Sequence, residues 1–260
     1  MKISYKENIV LFMDVLGFSN LVFNKDQSLI ENYFSYILDD FNKNLSSKKF
    51  KYLLISDSIV VSCLSSKENL SELIFVISKV QYQLLLKGIL VRGGISFGDL
   101  YVNKSNNIIV GPGLINAYKL ESLSKYPRII IDRRLIKRFF ETTTAFFDYV
   151  NDTFKKLYNE DEEKIKFNKE SRDGWVYINY FRKMVRYGTT YQKPNMDKVI
   201  KFFKLNYFSN EHFEKYDWVL RELLDELSLA FDHYSNHPEF SKSKSRLKSI
   251  NYLQEALLKL

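Results

Sequence analysis

The sequence predicts an α+β fold: a ferredoxin-like, palm-like core with a helical appendage at the C-terminal end. Three observations predict it. Strand-like and helix-like patterns alternate as β-α-β-β-α-β over the first hundred or so residues. Two lone carboxylates, Asp14 and Asp57, each sit at the end of an apolar strand run. From Pro194 onward the texture turns helical, rich in Lys, Glu, Leu and Phe, with no strand signal. The reading divides the chain into a core over 1–185 and a helical extension over 186–260.

The elements follow in order. Ile9 to Phe18 reads IVLFMDVLGF, a buried strand over 9–13 that ends at Asp14 and a Leu-Gly-Phe turn. Asp26 to Leu45 carries Leu29, Ile30, Tyr33, Phe34, Ile37, Leu38 and Phe41 at helical spacing. Tyr52 to Leu64 is two apolar runs around Ser56-Asp57-Ser58, a hairpin with Asp57 at its tip. Glu68 to Leu86 is a second amphipathic helix, closed by Gly88. Val91–Val102 is a strand with glycines at 93, 94 and 98, which mark a bend or the close approach of a backbone or ligand. Ile108–Val110 returns, Gly111-Pro112-Gly113 breaks the chain, and a helix runs over Leu114–Ser124. Ile129–Ile131 is a buried strand, after which Asp132 caps a short helix. Lys164–Phe167 and Trp175–Phe181 form a hairpin, and helices occupy 194–207, 213–234 and 243–259.

Composition narrows the function. At 260 residues, 45% hydrophobic and 16% aromatic, the chain can fill one sizeable core. The net charge of +8 is spread along the chain without a block of five like charges. It reads as a solvated surface with nucleotide phosphate as a partner, and neither a nucleic-acid module nor a membrane-spanning run accompanies it. The single cysteine, Cys63, lies in an apolar run and reads as core. The three histidines fall in the last fifth of the chain, so no Cys/His metal cluster is expected. The absence of a signal peptide pattern around Lys2 and Lys6 suggests a soluble, cytoplasmic protein.

The chemistry lies in the two acids. A carboxylate at the end of a buried strand is costly unless a cation sits against it. The predicted strand order lets Asp14 and Asp57 meet, where they repel each other unless a divalent ion lies between them. Hard oxygen ligands favour Mg²⁺ or Mn²⁺, with phosphate oxygens completing the shell. The alternative for each is an ordinary turn aspartate.

These residues resemble a known family. FMDVLGF (12–18) and ISDSIVV (55–61) are similar to the two metal-binding motifs of class III nucleotidyl cyclases, with Ser56 where a Gly is usual. VRGGISFG (91–98) and GPGLINAYKLES (111–122) resemble their glycine-bearing strand and the Gly-led helix that carries their transition-state residues. The departures are specific. Leu53 stands where purine cyclases carry a base-reading Lys, and Ile108 where they carry a base-reading Asp. Ile115 and Lys119 occupy the positions of the helix's Asn and Arg, with Asn116 one residue along. Together with the PRIIID-type strand at 127–132, this combination looks like the stand-alone bacterial pyrimidine cyclases of Pycsar anti-phage systems.

The resemblance implies a homodimer with sites at its interface, making cyclic UMP or cyclic CMP that acts on a separate effector. It implies two Mn²⁺ or Mg²⁺ ions held by Asp14, Asp57 and the Val15 carbonyl. Backbone N–H groups at Gly17 and Phe18 would face the β- and γ-phosphates. Lys119 is the candidate transition-state cation and Asn116 the candidate ribose ligand. Arg92 contacts phosphate or pairs with an acid on the sheet. Leu53, Phe97 and Tyr52 are candidates for the base pocket. A catalytically silent nucleotide sensor and a purine cyclase with an altered base pocket are the competing expectations.

Overall fold

A computed structural model of the protein describes residues 3–44, 49–103, 105–158, 168–182, 193–207, 212–237 and 243–260. The central strand is β1 (Lys6–Val15), flanked antiparallel on one side by β3 (Ser58–Leu64) and on the other by β4 (Val91–Asn103). With β2 (Phe50–Ile55) outside β3, the order β2-β3-β1-β4 is that of a ferredoxin-like sheet. The connecting helices are α1 (Phe18–Phe23), α2 (Gln27–Asn44) and α3 (Lys67–Leu86). Asp26 accepts the Leu29 N–H at the start of α2, and Ser66 accepts the Asn69 N–H at the start of α3. The short α1 was not anticipated; it follows directly from the turn at Gly17.

Beyond β4 the sheet continues. The strand β5 (Ile108–Val110) folds back on the far end of β4, and α4 (Pro112–Leu123) follows it. Then β6 (Ile129–Ile131) pairs parallel with β4, and the hairpin of β7 (Asn168–Glu170) and β8 (Val176–Ile178) closes the sheet on that side. The predicted Lys164–Phe167 half of this hairpin lies outside the described residues. Between β6 and β7 come α5 (Arg133–Phe139), capped by the Asp132 carboxylate on the Arg134 N–H, and α6 (Thr143–Tyr158), which the sequence reading missed. The C-terminal helices are α7 (Lys193–Asn206), α8 (Phe213–Asn236) and α9 (Ser243–Leu257), within two residues of their expected bounds.

The alternation of β1 sends its side chains to two faces. Ile9, Leu11 and Met13 join the main core with Tyr33, Ile37 and Phe41 of α2 and Leu73, Ile77 and Val80 of α3. Cys63 is part of that core, and burial pushes its thiol up to about 12. Val10 and Phe12 face the opposite way, towards Ala117 and Leu114 of α4. That helix sits very close to the sheet. A Cβ on Gly94 would meet Leu120 Cβ at 2.7 Å and the Ala117 carbonyl at 2.8 Å, so the expected close approach is by backbone.

The C-terminal helices form a second apolar cluster, built on Phe203, Leu223 and Leu253, that takes in Tyr82 and Leu85 of α3 and Tyr180 and Phe181 after β8. At the same seam Arg128 is buried, with its guanidinium paired to Asp173 and packed against Tyr126, Tyr177 and Trp218. The rings of Tyr126 and Trp218 stack at 5.5 Å and 7°. No helix among the described residues is long and apolar enough to cross a membrane.

Candidate active site

The site grows from the end of β1. Asp14 is the last even-numbered residue of the strand, so it shares the α4 face with Val10 and Phe12. Its cross-strand partner on β4 is Arg92. On the other side, β3 begins at Ser58, whose hydroxyl donates to Asp14 Oδ1 at 3.2 Å. The β2–β3 hairpin thus delivers Asp57 beside Asp14, as the strand order predicted. Tyr33 of α2 fixes the hairpin tip by donating its hydroxyl to the Asp57 carbonyl at 2.8 Å.

The hairpin turn needs a left-handed residue, and Ser56 supplies it with φ +57°. At the end of β1 the Leu16 N–H donates to the Leu90 carbonyl at 2.9 Å. Gly17 then turns the chain at φ +78°, and the buried ring of Phe18 starts α1 against Tyr33 and Phe34. Val15 is buried, with its side chain in the main core, so its backbone is the part left to serve a ligand.

The electrostatics of the pair are unfavourable as it stands. Burial first, and the neighbouring Asp57 charge second, push the Asp14 carboxyl up to about 6, with Glu121 adding to the effect and the Ser58 hydrogen bond opposing it. Arg92 Nη2 lies 3.9 Å from Asp14 Oδ2, too far to neutralise it fully. Arg92 is engaged elsewhere: its Nε is 2.6 Å from Oε1 of Glu121, a buried acid on α4. That approach lies off the hydrogen-bonding direction, so neither atom gains a proper hydrogen bond, and we read the contact as an ion pair alone. Of the two roles expected for Arg92, the structure contains the pairing with an acid.

The donor set suits a hard divalent cation. A carboxylate whose proton affinity is raised by burial and by a second carboxylate beside it is relieved by a shared cation, and both groups offer oxygen only. Among the described residues no third Asp, Glu, His or Cys joins them, which leaves much of a coordination shell to backbone and substrate oxygens.

Leu53 belongs to this face. It pairs across β3 and β1 in the row Leu53–Val60–Phe12–Gly94, next to the row that holds Ser58, Asp14 and Arg92. Phe97 does not. It lies on the opposite face with Ile9 and Ile95, packed into the main core beneath the Arg138 guanidinium. Its place in the base pocket is therefore withdrawn: the β4 alternation puts 92, 94 and 96 on one side and 97 on the other. Tyr52 shares that far face, packed on Phe41. On α4, Asn116 donates its amide to the Phe97 carbonyl at 3.1 Å, and Lys119 is exposed with no ion pair among the described residues. Neither makes a hydrogen bond or ion pair with Asp14 among the described residues.

Sequence reasoning missed Glu121 and Ser58. Glu121 was visible in principle, as a charge on the buried Ala117–Leu120 side of its helix. A cavity of about 510 Å³ opens elsewhere, between Tyr126, Arg128, Asp173 and the Phe213–Asp225 part of α8, and neither Asp14 nor Asp57 lines it.

No family model matches the chain, and no curated protein matches it. Solved structures do. A bacterial light-regulated adenylyl cyclase aligns at 18% identity over 53% of this chain and 45% of its own, with a TM-score of 0.41. This chain therefore spans less than half of that protein. The guanylyl cyclase Cya2 aligns at 14% identity over 68% of this chain and 93% of its own, with a TM-score of 0.46. The adenylyl cyclase CyaB from P. aeruginosa aligns at 16% identity over 68% and 95%, with a TM-score of 0.43. All three are adenylyl or guanylyl cyclases.

Proposed function

We propose that the protein is a class III-type nucleotidyl cyclase. It acts on a pyrimidine ribonucleoside triphosphate, UTP in preference to CTP. The observation that carries this reading is the convergence of Asp14 and Asp57, with the raised Asp14 carboxyl, beside the Gly17 turn on the α4 face. The bond formed joins the ribose 3′-oxygen to the α-phosphorus. The bond broken releases pyrophosphate, and the hydroxyl proton passes to solvent.

Asp14, Asp57 and the Val15 carbonyl would hold two Mn²⁺ or Mg²⁺ ions. Bound there, the ions supply Lewis-acid activation of the hydroxyl and neutralise phosphate charge. Backbone N–H groups at Gly17 and Phe18 bind the outer phosphates. Leu53 fills space that a purine-reading Lys would leave polar, which favours the smaller base. The pyrimidine preference rests on Leu53 and Ile108.

The outward side of α4 exposes Ile115, Tyr118 and Leu123, each more than half accessible. An apolar face of this kind supports a homodimer through α4, with Lys119 and Asn116 serving the partner's substrate. The cyclic product would act on a separate effector in anti-phage defence, a role supported by the motifs at 91–98, 111–122 and 127–132.

A silent nucleotide sensor is the second reading. The engagement of Asn116 with its own Phe97 carbonyl favours it. One experiment separates the two: purified protein with Mn²⁺ and each of the four ribonucleoside triphosphates, beside Asp57→Ala. A cyclic pyrimidine product, lost in Asp57→Ala, is expected. Cyclic AMP or GMP would overturn the base assignment. Nucleotide binding without any product would favour the sensor.

A further inference from the structure

The C-terminal helices reach the site. Leu16, between Asp14 and the Gly17 turn, packs its side chain into the apolar cluster of the C-terminal helices, which also takes in Tyr216 of α8. His212, immediately before α8, lies over the turn itself: a Cβ on Gly17 would sit 3.9 Å from His212 Nε2. Lys215 is one turn further along, its N–H donating to the His212 carbonyl at 2.9 Å.

Lys215 is half-buried and pairs with no carboxylate among the described residues. Burial holds its ammonium below the usual lysine range, and the positive charge of Arg92 adds to the effect. A cation beside a second cation, with no anion assigned to it, is an unfavourable arrangement unless an anion arrives from outside. The nearby acids of α8 do not supply one. Asp217 accepts from Tyr207 at 3.2 Å and pairs with Arg221 at 2.8 Å, and Glu214 and Asp217 line the cavity beside Trp218. On the sheet side, Glu121 is already paired with Arg92.

We propose that His212 and Lys215 form the terminal-phosphate end of the substrate site, supplied in cis by the C-terminal extension. Their ligand class is the polyphosphate tail of a nucleoside triphosphate, lying across the Gly17 turn. This deepens the cyclase reading and rests on it. It also gives residues 212–215 a function: the extension closes the open end of the site and recognises three linked phosphates rather than one.

The test uses the full chain and inorganic tripolyphosphate as the probe, titrated calorimetrically with Mn²⁺ present, with orthophosphate as the comparison. His212→Gln and Lys215→Gln are expected to weaken tripolyphosphate binding by about tenfold each, the scale of one lost charge-assisted contact. Lys215→Arg retains most of it. Lys204→Gln, an exposed charge on α7, leaves it unchanged and controls for net charge. Unfolding midpoints of all variants verify folding. In turnover assays the two Gln variants raise KM for the triphosphate more than they lower kcat. Equal tripolyphosphate binding by wild type and the double variant overturns the proposal, as does absence of binding by wild type. Turnover with an unchanged KM in the double variant removes this subsite and leaves the cyclase reading standing. Binding that depends on both side chains, without turnover of any triphosphate, removes the cyclase reading instead.

Discussion

Asp14 carries a penalty that can be measured at the scale of a single residue. Its folded value of about 6 lies above the 3.8 of an ordinary aspartate. The penalty is therefore fully present above about pH 6, relieved as pH falls from there towards 3.8, and absent below. Metal-free protein should gain about 2 kcal/mol from this group between pH 7 and pH 4, a little under the full value of a two-unit shift. Asp14→Asn should remove that slope, stabilise the metal-free chain at pH 8 by a similar amount, and abolish any rise in Tm with Mn²⁺. Chemical denaturation at several pH values, with EDTA and then with Mn²⁺, checks all three. Ser56 is a second strained residue. Its φ of +57° is a conformation that glycine adopts more readily, so Ser56→Gly should raise stability by about 0.5–1 kcal/mol. Both features were half-legible. The sequence places a lone acid after IVLFM and a Ser where related motifs carry Gly, but strain and proton affinity depend on which neighbour arrives.

At the scale of elements, the decisive contact is α4 against β4. Gly94→Ala drives a methyl into the Leu120 side chain and the α4 backbone, so about 2 kcal/mol of destabilisation is expected, with loss of the Arg92–Glu121 pair. The unfolding midpoint and the rate of the proposed cyclase reaction should fall together in this variant. The elements that make this contact were readable because their patterns are local. Continuous apolar runs marked β1 to β3, a glycine-bearing run marked β4, and helical spacing marked α2 and α3. The misplaced residue, Phe97, shows where that reading ends: a motif gives order along the chain, while the face of a strand depends on register with its neighbours. The missed α6 was legible, since Phe146, Val150, Phe154 and Leu157 recur at helical spacing. The proposed roles of His212 and Lys215 depend instead on tertiary packing, to which no spacing in the sequence points.

At the scale of the whole molecule, a site shared between two copies makes a prediction that a self-contained site does not. Asp57→Ala and Lys119→Ala chains should each be inactive alone. Mixed and allowed to exchange, they should recover about a quarter of the wild-type rate, since half of randomly paired two-fold dimers are mixed and each holds one intact site. Ile115→Arg on the exposed side of α4 should leave a folded monomer by light scattering and prevent this rescue. The seam between the sheet and the C-terminal helices has its own optical consequence. The chain has two tryptophans, Trp175 and Trp218, and both pack on Leu120, Ile130 and Tyr177, with Trp218 also stacked on Tyr126 beside the Arg128 guanidinium. All the indole emission of the protein therefore originates at one junction. Its wavelength and quenching report whether the helical extension is docked, with no label added.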